Sequence, residues 1–126
     1  MKKLLFVGCA VMFSAAVMAQ AGPTAVCDAQ GKPAAVVGGD TSGTYFVRTP
    51  FNPTCSPNTH MTYEQTSAEL WAAAASTKGG NVFGGSTNGG STKSLAACNS
   101  GKTCGSNTTT AVTANMTAAK NVGFTN

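Results

Sequence analysis

EQTSAELWAAAASTKGGNVFGGST, residues 64–87, decides the fold of this chain. Its four consecutive alanines, Ala72 to Ala75, favour a helix on intrinsic propensity, with Leu70 or Trp71 as an anchor. The residues after them argue the other way. Lys78-Gly79-Gly80-Asn81 is a strong turn signal, and Val82-Phe83-Gly84-Gly85-Ser86-Thr87 beyond it has the look of a returning strand. The stretch therefore predicts a β-hairpin with small side chains along both arms, with a short helix as the alternative.

Outward from that hairpin, the same alternation predicts further strands. Residues 44–48, Thr-Tyr-Phe-Val-Arg, are β-branched and aromatic, and Gly43 and Pro50 bound them. Residues 34–37 and 59–63 read as shorter strands, and 22–32 as an extended lead-in held at Cys27. Pro53 and Pro57 mark 51–58 as a loop or an edge. Residues 84–93 repeat Gly-Gly-Ser-Thr twice, which reads as a loop or linker, or else as flat strand able to pack closely on another sheet. At the other end, Val112, Met116 and Ala119 recur at helical spacing. They predict a short C-terminal helix over 108–120, capped by Thr108 or Thr109 and ended by Gly123. The fold class expected is mainly β, a small single domain with Gly-rich turns and a short terminal helix, with α+β as the alternative.

Residues 1–21 read as a cleaved export signal. Lys2 and Lys3 precede an uncharged apolar stretch over 4–19, and Ala19-Gln20-Ala21 supplies the small-x-small pattern that signal peptidase requires. Val17-Met18-Ala19 is a second cleavage site. The apolar run is about 16 residues and holds Gly8 and Ser14, which is short of the roughly 20 needed to span a bilayer. Phe6-Val7-Gly8-Cys9 is a poor lipidation site, because Phe6 stands where leucine is expected. The expected mature domain is 22–126, exported to the periplasm, cell surface or medium of a bacterium.

That domain has a thin core. Isoleucine is absent, and Leu, Val and Phe together make up about 12% of residues 22–126. Gly, Ala, Ser, Thr and Asn supply about three-fifths of it, and such side chains bury little apolar area at about 25 cal/mol per Å². Stability must come from backbone hydrogen bonds, from cross-links, or from burial against other copies. Cys27, Cys55, Cys98 and Cys104 offer the cross-links, and three pairings are open to them. Sequence proximity favours Cys27–Cys55 with Cys98–Cys104. Loop-closure entropy assigns about 3.6 kcal/mol to the first bridge and about 2.4 kcal/mol to the second.

Candidate chemistry is sparse. Net charge over 22–126 is about +2, with no basic stripe to neutralise phosphates, so nucleic acid is not an expected partner. Gly101-Lys102-Thr103 imitates the end of a phosphate-binding loop, but Ala96 occupies the position of its first glycine. The cysteines lack Cys-x-x-Cys spacing, so no metal or cofactor is expected. His60 is the one histidine, and no nucleophile motif accompanies it. Glu64 and Glu69 are spaced to point apart in a strand or a helix. Asn107 and Asn115 begin glycosylation sequons, which a bacterial protein is expected to leave unmodified.

Trp71, Tyr45 and Tyr63 are candidate ligand-binding residues if they share an exposed face, and core residues otherwise. The composition therefore points to a non-enzymatic structural protein of the cell surface, envelope or matrix. Such a protein is expected to assemble with its own copies through small-residue strands. The alternative is a periplasmic or secreted binding module using the three aromatics.

Overall fold

A computed structural model describes residues 22–39, 43–89, 91–98, 103–105 and 108–123. Five strands form one antiparallel sheet: β1 (Thr24–Gln30), β2 (Pro57–Gln65), β3 (Leu70–Ser76), β4 (Asn81–Ser86) and β5 (Lys93–Ala97). Their order in the sheet is their order in the chain. Two short helices follow, α1 (Thr108–Ala114) and α2 (Met116–Lys120), and both pack on one side of the sheet. The domain is mainly β, as its composition and turns predict.

The hairpin at 64–87 forms, and β3 is a strand despite its alanines. Trp71, Ala73 and Ala75 alternate inward beneath the helices, and Ala74 pairs with Phe83 across the turn. A run of alanine has no period of its own. The neighbours on both sides, β2 and β4, supply the backbone partners that outweigh helix propensity. The terminal helix also forms, with Val112, Met116 and Ala119 buried at the expected spacing. It breaks at Asn115, whose side-chain amide donates to the Ala111 carbonyl at 2.8 Å. Thr108 and Thr109 both lie within α1. The Thr108 hydroxyl donates back to the Gly105 carbonyl, and Thr109 bonds His60 Nδ1 at 3.0 Å. Gly123, at φ +102°, follows the end of α2 as expected.

Two expected strands are absent. Residues 34–37 and 44–48 lie in a pair of arms, 31–39 and 43–55, that leaves the sheet between β1 and β2. Among the described residues, one bridge joins the arms, pairing Val37 with Phe51. The Val47 amide, set in the segment with the highest β propensity, donates to the Gln65 side chain at 3.1 Å rather than to a strand. Beside these arms β1 is irregular. Its register with β2 slips twice, and Cys27 bridges Pro33 on its other side. A β-prone segment with no regular edge to join stays outside the ladder. In the opposite sense, 84–93 is only partly loop. β4 runs through Ser86, and β5 begins at Lys93 although Ser94, Ala96 and Ala97 carry little β signal.

The sheet separates two cores. Trp71, Ala73, Ala75, Val82, Val112, Met116 and Ala119 pack with Cys98 and Cys104 on the helix side. Val26, Val37 and Tyr63 pack with Cys27 and Cys55 on the other. Each layer carries one disulfide, Cys27–Cys55 or Cys98–Cys104, in the pairing that sequence proximity favours.

The helix layer is fastened at its far end by a small polar cluster. Lys120 Nζ lies 4.6 Å from the centroid of the Trp71 ring and 3.3 Å from a Glu69 carboxylate oxygen. Asn88 donates to the other oxygen of that carboxylate. The Asn88 amide, opposed in part by burial and aided by Lys120, holds the Glu69 carboxyl below the usual carboxylate range. A carboxyl lowered by folding stabilises the native state above its unfolded value, and the contribution fades as pH falls through the folded one. Thermal melts should therefore show the midpoint dropping as pH falls below about 4.3. Glu69→Gln should remove that part of the slope, and an unchanged slope would contradict the assignment.

Candidate functional site

The candidate site is the side of the sheet away from the helices. Strand alternation puts Met61, Tyr63 and Gln65 of β2 on this side, with Ala72 and Ala74 of β3 and Phe83 and Gly85 of β4. The arms cover the part nearest β1, over Tyr63 and Gln65. They leave β3 and β4 bare. A hollow of about 360 Å³ lies there, lined by Leu70, Ala72, Ala74, Phe83, Gly85 and Thr92 among others. A second, of about 250 Å³, opens beyond Phe83 against Ser76 and Asn81.

Phe83 stands between these hollows as a half-exposed ring at 48% exposure. Its neighbours are too small to cover it. Ala72, Ala74 and Gly85 keep the surrounding surface low, and Gly85 would admit a Cβ at ordinary contact distance, 3.8 Å from Thr92. No lining residue of either hollow carries a charge. The site is an uncharged apolar shelf with one aromatic ridge, bordered by Thr87 and Thr92. The outer surface of the arms continues the apolar character, since Val36, Phe46 and Phe51 are also exposed. The outward faces of the helices are polar and rich in threonine, with Thr109, Thr110, Thr113 and Thr117 exposed.

Both edges of the sheet carry features that discourage strand addition. β1 has its two register slips and the Pro33 bridge. β5 is five residues long, starts at Lys93 and slips register opposite Val82 and Phe83. Short, bulged and lysine-bearing edges resist pairing with another chain.

The three sequence-selected aromatics are not brought together. Trp71 is 4% exposed under α2, and Tyr63 is 3% exposed on the opposite side of the sheet. Tyr45 is half-buried in the arm 43–55. Trp71 and Tyr63 serve as core, which is the other reading of these residues given above. His60 ties β2 to α1 through Thr109. Glu64 pairs across from Trp71 on β2, while Glu69 precedes β3. Gly101, Lys102 and Asn107 lie outside the described residues. Among the described residues no three His, Cys, Asp or Glu side chains are grouped to hold a metal, and no helix is long and apolar enough to cross a membrane.

The residue that sequence reasoning passed over is Phe83. A lone large side chain in a strand of Asn, Val, Gly and Ser was the available signal. Its opposite phase to Val82 puts one of the pair outside the helix layer. Comparison of the chain with protein-family models, with curated proteins and with solved structures gives no match.

Proposed function

We propose that this is an exported, non-enzymatic structural protein that associates with its own copies through the bare side of its sheet. The observation that carries the reading is the uncharged shelf around Phe83, where a half-exposed aromatic ring stands between two open hollows. Patches of this kind on soluble domains mark interaction sites. Two copies facing one another across the shelf meet no like charges, and the Phe83 ridge of one has a hollow of the other to enter. The two disulfides are compatible with an oxidising compartment. The guarded edges favour a face contact over growth of a continuous sheet. A binding module built on Trp71, Tyr45 and Tyr63 draws less support, because two of those rings are buried on opposite sides.

Sedimentation of the oxidised protein over a range of concentrations, with electron microscopy of the same samples, tests the reading. Reversible association is expected, and Phe83→Ser should weaken it by about ten-fold or more through loss of the central buried ring. A monomer at every concentration would overturn it. Cell fractionation tests the exported location separately.

A further inference from the structure

We infer that the arms 31–39 and 43–55 form a detachable cover, held on the sheet by the Cys27–Cys55 disulfide, whose release enlarges the bare face while the helix layer stays folded. The arms are joined to each other more regularly than to the sheet. Val37 and Phe51 exchange two backbone hydrogen bonds, at 2.9 and 3.0 Å, and the Gly39 amide donates to the Val47 carbonyl at 3.2 Å. Gly38, at φ +82°, lies so close to Val47 that a Cβ there would sit 2.6 Å from its carbonyl oxygen. The arms thus move as one piece.

Away from β1, where Cys27 bridges Pro33 and the Ala34 amide donates to the Val26 carbonyl at 2.6 Å, their seal on the sheet is weaker. The Tyr63 hydroxyl donates to the Val36 carbonyl and accepts from the Gly38 amide, both at 3.4 Å, which is long for a hydrogen bond. Gln65 accepts from the Val47 amide through its oxygen, but its buried Nε2 has no partner among the described residues. A buried donor left unpaired favours the state in which water reaches it. The disulfide is the strongest tie between this cover and the strands on either side of it.

The helix layer has separate support. Its core shares no buried residue with the core beneath the cover. It has its own disulfide, the Ser86 hydroxyl donating to the Val122 carbonyl at 2.7 Å, and the Lys120–Glu69 pair. Met61, Leu70 and Ala72 line the open hollow and also pack against the core under the cover. Lifting the cover therefore extends the hollow without a break to Tyr63 and Gln65. A small dithiol is the reductant class: it gives two electrons and two protons to the bridge, Cys27 and Cys55 become thiols, and the dithiol closes to its own disulfide.

Hydrogen exchange of the oxidised chain and of Cys27→Ser/Cys55→Ser tests this. With the bridge gone, Cys55 is no longer tied to β1, while the Gln30–Pro57 pairing still closes the base of the loop, so the opening equilibrium of the cover should rise by about ten-fold. The amides of Val37, Gly39, Val47 and Phe51 report it, while those of β3, β4 and α2 should change by no more than about three-fold. Tyr63→Phe in the oxidised chain should speed the same four amides alone. Equal acceleration of cover, β3, β4 and α2, or no acceleration of the cover in either variant, would overturn the inference.

Discussion

Gly84→Val is expected to destabilise the domain by about 4 kcal/mol, among the largest effects of any single substitution in it. α2 descends onto the sheet at this position. A Cβ on Gly84 would sit 2.6 Å from Leu95 Cδ1, 2.8 Å from the Ala72 carbonyl oxygen and 2.9 Å from the Ala119 Cβ. A leucine tip can rotate away, but a carbonyl inside a ladder and a methyl on a packed helix cannot. Relief must come from lifting α2, which would strip cover from Val82, Met116 and Trp71. Calorimetry should show the midpoint falling by about 20 °C. Gly85→Ala is the control. It points to the bare side, where a Cβ meets nothing nearer than 3.8 Å, and its cost should stay within about 0.5 kcal/mol. Similar losses for the two variants would show that strand flexibility, and not the approach of the helix, sets the need for Gly84.

Reduction of both bridges is expected to unfold the chain at room temperature. The two loop closures together contribute about 6 kcal/mol, which approaches the whole stability of an ordinary small domain. This one has fewer apolar groups than most to make up the loss. Its largest fully buried side chains are three valines, Val26, Val82 and Val112, with Thr108 and Cys104. In an excess of dithiothreitol the near-ultraviolet signal of Trp71 should vanish together with the far-ultraviolet strand signal. A native spectrum in the reduced protein would show that the sheet needs no cross-link.

The sequence made some of this legible for definite physical reasons. Gly79-Gly80-Asn81 sets a turn whatever surrounds it, and the spacing of Val112, Met116 and Ala119 survives a break at Asn115 because each still lands on the sheet. Cysteine proximity predicted both disulfides, since short loops close at the least entropic cost. What stayed hidden depends on partners distant in sequence. Residues 44–48 have every local mark of a strand but meet an irregular edge and a glutamine side chain. β5 has few such marks and is a strand because β4 lies beside it. Phe83 was legible as a strand residue, though not as an exposed ridge. Its exposure follows from the arms stopping short of β3 and β4, which no local pattern records.

The plain up-and-down order of the sheet has a kinetic consequence. From β2 onward each strand pairs with the next across a short turn, so these contacts are close in sequence and cheap to close. The junction of β1 with β2 differs, because it spans both arms and leaves Cys27 and Cys55 separated by 28 positions. A chain emerging in order makes β1 first and can use it only after β2 has appeared. β1 thus waits until both arms and β2 have been made, and Cys27 spends that interval as an unpaired thiol.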